Sequence, residues 1–402
     1  MMKTRACSNL MNEGEKFEQI PFDLVIEILL KLPTKSIARF RCVSKLWDST
    51  FRSPFFTESF FTISSSTSHP KLLISCILDD KTFFFSSPQP QSSSCPTSTT
   101  ITASFQMSFP IDCLSYICRP VRGLVYGNIG WYFRAPEGSV HFICNPSTGQ
   151  FLNLPKVKKG WHVVKSYFGY DPIDKQLKVL CMTELYGCTP FLVEHHVLTL
   201  GTGKCFSWRM IECDIPHFAA GVGPSDRGNV YDGICINGVL YYLALIHATY
   251  DGVPQIICYN FTSEKFSNIK KAQGMEGKLI EYKGKLAMLQ PVFYSDQYSS
   301  MIKLWVLEDA EKPQWSRYTY VLPSPWMSNI AWTKLRFVGV TTTGEIVFSP
   351  LYITDSFFIV YYNPKRNTII TRIRIQGMEA YKNCKAYVFL DHVEDLKLMA
   401  SI

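Results

Sequence analysis

IPFDLVIEILLKLP, residues Ile20 to Pro33, carries more apolar side chains than a helix of its length can hide. With Phe22 to Leu32 helical, the polar residues inside it are Asp23, Glu27 and Lys31, spaced i, i+4 and i+8. They form one thin stripe, and apolar side chains cover the rest of the cylinder. Such a helix needs cover on almost every side, from its own domain or from a partner. Pro33 closes it. Thr34 is the expected N-cap of a second helix, TKSIARFRCV, with Ile37, Phe40 and Val43 inward and Lys35, Arg39 and Arg41 outside. Ser44 is expected to cap a third helix in which Val43, Leu46, Trp47 and Phe51 share a face, and Ser53-Pro54 to end it. Three short helices in about 40 residues sit near the lower size limit for folding alone. The apolar excess therefore packs on the chain downstream, or another protein completes it helix against helix.

The whole run IPFDLVIEILLKLPTKSIARFRCVSKLWDSTFRSPFF, Ile20 to Phe56, resembles an F-box of the plant type. The matching elements are Asp23-Leu24, Glu27-Ile28-Leu29, Leu32-Pro33 with Lys35-Ser36, Arg39 to Val43, Lys45 with Trp47, and Ser53-Pro54 with Phe56. Ile20 and Ile37 stand where the family usually has Leu, and Ser44 where Cys is frequent. The resemblance implies docking on a Skp-type adaptor, which bridges to a cullin and a ubiquitin-charged enzyme. Carried over residue by residue, Pro21, Leu24, Val25, Ile28, Leu29, Leu32 and Pro33 pack on the adaptor or hold the helices that do. Lys35, Arg39, Arg41 and Lys45 form a basic fringe suited to an acidic partner surface, which governs association rate more than affinity.

From about Lys71 the helical period gives way to short alternating strands with turn residues. One recurring unit is a hairpin with a Gly-bearing turn: ICINGVLYYLA (Ile234 to Ala244), IEYKGKLAML (Ile280 to Leu289) and VGVTTTGEIVFS (Val338 to Ser349). The other is a strand, a polar turn and a strand: FICNPSTGQFLNLP (Phe142 to Pro155), HVLTLGTGKCFSWRMI (His196 to Ile211), ICYNFTSEKFSNI (Ile257 to Ile269), LWVLEDAEKPQWSRY (Leu304 to Tyr318) and VYYNPKRNTIITRIRI (Val360 to Ile375). Its repeat spacing is near that of kelch-like propeller blades. One unit of each kind makes a four-stranded blade. About five can be read from Arg122 to Ile375. A sixth joins Lys71 to Ser87 with AYVFLDHV, Ala386 to Val393, so that the chain ends share a blade and close the ring. Six blades are expected, with seven the alternative. Ser86 to Thr102, rich in Ser, Thr and Pro, reads as a loop.

RPVRGLVYG, CNPSTGQFLNLPKV, ICINGVLYYLA and FLDHVEDLKL look like the type 3 F-box-associated domain of plant F-box proteins. The expected fold is thus an α+β multidomain chain, a small three-helix F-box followed by an all-β kelch-like propeller. Residues 1–16 are expected as a flexible lead, 17–60 as the F-box, 61–395 as the propeller and 396–402 as a tail.

Of 402 residues, 47% are hydrophobic and 18% charged, which indicates a globular chain. No apolar run is long enough to span a bilayer, so no membrane partner is expected. The N-terminal stretch lacks the apolar block of a secretory signal, which points to cytosol or nucleus and reduced thiols for the 14 cysteines. No C-x-x-C or H-E-x-x-H occurs, and His195-His196 on a strand point to opposite faces, so neither a metal nor another cofactor is expected. The net charge of +8 is dispersed apart from Lys156, Lys158 and Lys159, which excludes a nucleic-acid stripe. Gly201-Thr202-Gly203-Lys204 lacks the other residues of a phosphate loop and reads as a turn. Trp161, Trp326 and Trp332 fall in irregular stretches and are the expected recognition rim for a protein substrate. The sequence thus favours a non-catalytic substrate adaptor of a ubiquitin ligase. A propeller enzyme such as a hydrolase or oxidase, and a scaffold outside any ligase, are the alternatives.

Overall fold

The computed structural model describes residues 20–66, 70–90, 98–110, 114–129, 140–157, 161–185, 193–201, 206–220, 233–246, 254–293, 300–322 and 335–397. The N-terminal unit has four helices: α1 Phe22–Leu30, α2 Thr34–Arg41, α3 Lys45–Arg52 and α4 Pro54–Ser66. Ser44 caps α3 as expected, its hydroxyl accepting the Trp47 N–H at 3.2 Å. Local chemistry overturns one expectation and extends another. Thr34 is the first residue of α2 and not its cap, and its buried hydroxyl donates to Glu394 at 3.4 Å. Ser53-Pro54 ends α3 but also starts α4: the Ser53 hydroxyl accepts from the Phe56 N–H, and Pro54 takes the first helical position, where a missing N–H costs nothing.

Among the described residues the strands form six sheets, antiparallel but for one edge strand, arranged as propeller blades. Blade 1 runs Ala386–His392, Lys71–Leu78, Lys81–Pro88, Ser104–Pro110 from the axis outward. Blade 2 runs Leu114–Ile117, Val125–Ile129, Val140–Asn145, Gln150–Asn153, and blade 3 Trp161–Asp171, Gln176–Leu185, Val193–Leu200, Arg209–Ile211. Blade 4 is Ile234–Ile236, Val239–Ile246, Gln255–Asn260, Phe266–Ile269, and His217–Ala219 also pairs with its second strand. Blade 5 is Lys278–Tyr282, Lys285–Phe293, Ser300–Asp309, Gln314–Val321. Blade 6 is Leu335–Val340, Ile346–Pro350, Phe358–Asn363, Thr368–Gln376. Each Gly-bearing hairpin of the sequence joins the first and second strands of a blade, and each polar turn joins the third and fourth. Asn237-Gly238 and Lys283-Gly284 place both turn residues at positive φ, as the twist of a two-residue hairpin demands. Asn145, Asn260, Asp309 and Asn363 each accept two backbone N–H groups of the turn they open.

Ring closure uses both ends of the propeller, with Leu73 opposite Phe389, Ile74 opposite Val388 and Cys76 opposite Ala386. Gln89 locks the joint by donating to the Asp391 carboxylate and accepting its backbone N–H, each at 2.8 Å. The Ser/Thr/Pro-rich stretch is not wholly a loop. Ser98–Thr102 adds to the outer edge of blade 6 in parallel, covering that edge, because Thr and Ile residues suit a pleated strand.

Blades 3 and 4 are tied by a buried ion pair. Lys178 donates to Asp171 at 2.9 Å and to the Phe261 carbonyl at 2.8 Å. The second Asp171 oxygen accepts from the Thr262 hydroxyl and the N–H groups of Ile173 and Asp174. Burial alone would raise this carboxyl, but those hydrogen bonds outweigh it and hold it at about 2. An aspartate so depressed contributes its stability above the unfolded value of about 3.9 and loses it as pH falls through about 2. Asp171→Ala strands the Lys178 ammonium and is expected to cost about 3–5 kcal/mol. Thermal melts between pH 7 and 2 check this: the variant should melt well below wild type at pH 7, with the gap narrowing from pH 4 to pH 2.

Candidate docking surface

The helical unit has its own small core: Leu29, Leu30, Ile37, Phe51, Phe56 and Phe60, joined by Leu396 from the C-terminal segment. Val25, Ile26, Leu32, Trp47 and Ile63 pack partly against it. Leu396, expected in a tail, is therefore the plug by which the propeller chain completes the helical core. Polar contacts brace the same junction. Arg122 pairs with Glu58 on α4 at 2.7 Å, stacks 4.1 Å over the Phe61 ring and donates to the Tyr170 hydroxyl. Lys71 pairs with Glu394 at 2.7 Å. α4 is thus a strut from the helices to blades 2 and 3, and the sequence reading passed over it. Phe56, Phe60 and Ile63 recur at i, i+4 and i+7, the signal that was available.

The blades do not roof the helices over. Leu24 and Ile28 lie one turn apart on the outer side of α1, 48% and 55% exposed, and Ile20, two residues before the helix, is exposed as well. Pro21 and Pro33 are also exposed, whereas Val25 and Leu32 are half-buried and Leu29 is buried. The structure thus sorts the seven apolar positions into an outer set and an inner set. Phe40 and Val43, expected inward, are exposed, as is Leu46, expected on the face shared with Phe51. Ile37 and Phe51 fill the space those residues were expected to occupy, so they join the outer set. Such a concentration of bare apolar side chains makes this face the candidate interaction surface.

Charge around this surface is uneven. Lys35, Arg39 and Lys45 are exposed, and the Lys35 ammonium also reaches the Phe105 carbonyl of blade 1 at 3.4 Å. Arg41 is half-buried and bonded to Asp48 at 3.0 Å, and Arg52 holds the other carboxylate oxygen at 2.7 Å. Arg52 first and Arg41 second keep Asp48 below the usual carboxylate range. Arg41 therefore braces α2 against α3.

At the propeller axis the innermost strands line a cavity of about 480 Å³, with Arg119, Lys278, Glu281, Arg336 and Asp391 on its wall. Burial raises Glu281, helped by Asp391 and opposed by Arg119. This pair of acids was invisible in the sequence, since 110 positions separate them. Asp391 is committed to Gln89 at the ring closure. Trp161 opens the innermost strand of blade 3, its backbone opposite Leu185. Its side chain, all of Trp326 and Trp332, and Lys158 and Lys159 lie outside the described residues, as do residues 1–16 and the Gly203-Lys204 turn. Among the described residues no helix is long and apolar enough to cross a membrane.

Sequence comparison with known families agrees with this architecture. The F-box domain pattern matches residues 17–59, and that of the F-box associated beta propeller domain matches residues 71–393. The chain is 52% identical to F-box protein At3g61340 of Arabidopsis thaliana, over 99% of this chain and 98% of that protein. It is 46% identical to F-box protein DOR of the same plant, over 98% of this chain and 97% of that protein. Among solved structures, TolB from Acinetobacter baumannii aligns over 80% of this chain and 66% of its own, with a TM-score of 0.40 and 9% identity. With one pattern covering the helices, the other covering the blades, and relatives matched nearly end to end, the chain belongs to the F-box proteins that carry an F-box associated β-propeller domain.

Proposed function

We propose that this chain is the substrate-recognition subunit of a Skp–cullin–F-box ubiquitin ligase. The helical unit docks on a Skp-type adaptor and, through it, on a cullin; the propeller holds a protein substrate. The observation that carries this reading is the pair Leu24 and Ile28, bare on a helix whose opposite side is already packed, with Ile20 exposed just before it. Apolar anchors of that kind supply most of the affinity of a helix-in-groove interface, and Arg39 and Lys45 steer the approach of an acidic partner. Substrate binds on the propeller, with Trp161, Trp326 and Trp332 as its proposed contacts. The chain makes no covalent step of its own. It raises the effective concentration of substrate lysines at the ubiquitin-charged enzyme, in the cytosol or nucleus.

Affinity purification of the full chain from plant cells tests this. Adaptor and cullin are expected to co-purify, and both to be lost on removal of residues 17–60. Adaptor without cullin would mark a scaffold outside any ligase, and recovery of neither would overturn the proposal.

A further inference from the structure

Blades 3 and 4 meet at a buried polar cluster that docking does not use. His195 lies on the third strand of blade 3, and His217 on the short strand that pairs with blade 4; they are 4% and 3% exposed. Their Nε2 atoms face each other at 3.4 Å. Cys213, half-buried and between them in sequence, places its Sγ 3.8 Å from the Nδ1 of His217. One donor atom from each of the three lies within 4.8 Å of the others. Phe266 packs against both imidazoles and walls the cluster in.

Proton placement exposes a conflict. The Nδ1 of His217 is 2.7 Å from the Ile215 carbonyl, so the ring proton sits there and Nε2 presents a lone pair. The Tyr242 hydroxyl, 2.6 Å away, donates to that lone pair. His195 Nε2 therefore meets it either as a second donor for one lone pair or as a second lone pair. A cation between the two nitrogens removes the conflict. Two nitrogens on one tetrahedral zinc, each about 2.0–2.1 Å from it, lie roughly 3.3–3.4 Å apart, and the observed separation matches. The Ile215 carbonyl fixes the His217 tautomer as an outer-sphere group does in metal sites.

We propose that His195, Cys213 and His217 form a binding site for Zn²⁺. Two imidazoles and one thiolate are the donor set that zinc prefers, and the Tyr242 oxygen or a water completes the tetrahedron. The Cys213 thiol now contacts the Ile215 carbonyl at 3.2 Å. On binding, the Sγ turns from the His217 Nδ1 and the Ile215 carbonyl toward the two Nε2 atoms, the S–H bond breaks, the proton leaves to solvent on the half-exposed side of the residue, and a sulfur–zinc bond forms. The ion then ties the connection after Arg209–Ile211, the outer strand of blade 3, to blade 4. His196 takes no part, since its ring turns to Glu194 at 3.2 Å.

Cobalt substitution of the purified full chain tests the site. Co²⁺ titration is expected to saturate at one equivalent, with tetrahedral visible bands and a near-ultraviolet thiolate-to-cobalt band, all displaced by Zn²⁺. C213S should abolish the thiolate band and weaken Co²⁺ binding at least 100-fold, as should H195Q, whereas C42S at an exposed thiol should change nothing. Zinc retained by the unmutated chain, released by a thiol-blocking reagent and counted, gives a readout that needs no variant. The proposal is overturned by the absence of saturable one-to-one binding in the unmutated chain. It is equally overturned by a thiolate band that survives in C213S.

Discussion

Replacing Leu24 and Ile28 together by Ala is expected to abolish capture of a Skp-type adaptor while both folded units stay intact. Both side chains are about half exposed, so their loss opens no cavity in the unbound protein. At an interface, truncating a central anchor costs about 2 kcal/mol or more, roughly 30-fold in affinity for each residue. Leu29→Ala, one position from Ile28, is the informative contrast. Leu29 sits in the helical core against Phe51 and Phe56, and its truncation is expected to cost about 2–5 kcal/mol of the stability of that unit. Adaptor titration and circular dichroism on the same samples separate the two effects. Undiminished binding by the double variant would reject the surface.

A chain ending at Lys385 is expected to yield no folded propeller. It lacks the innermost strand of blade 1 and leaves the edge of Lys71–Leu78 without its ladder partner. Val388 and Tyr387 leave the blade core, and Leu396 leaves the helical core. Each such burial contributes about 1.5–3 kcal/mol, against a total of about 5–15 kcal/mol for a typical domain. Asn145 also loses both acceptors of its side-chain amide, the carbonyls of Asp395 and Lys397. Limited proteolysis would show this as rapid cleavage throughout residues 71–376; a protease-resistant core would contradict it.

Much of the fold was legible because strand-and-turn chemistry is local. Asn237-Gly238 and Lys283-Gly284 announce their hairpins, and the polar turns opened by Asn145 and Asn363 mark the outer half of each blade. Even the shared blade was readable, since Lys71 to Ser87 lacked an inner strand and Ala386 to Val393 lacked a blade. What the sequence withheld was the identity of the covering group. Periodicity shows that Phe40, Val43 and Leu46 are apolar, but not whether a core or a partner covers them, and they prove to be outside. The same limit hid α4, whose Ser53-Pro54 opening serves equally as a stop and as a start. The His195, Cys213 and His217 cluster escaped for a different reason: its donors come from separate elements brought together only by the packing of neighbouring blades. Of the expected basic fringe, Lys35, Arg39 and Lys45 are exposed, while Arg41 is spent on Asp48.

The central claim is that the outer faces of the first helices are built to be covered by another protein. Amide hydrogen exchange of the full chain, with and without a purified Skp-type adaptor, measures this directly. The account predicts added protection at residues 20–31 and across the α2–α3 junction near Val43, with the blade amides unchanged. Protection confined to the blades, or none in either unit at saturating adaptor, would contradict it.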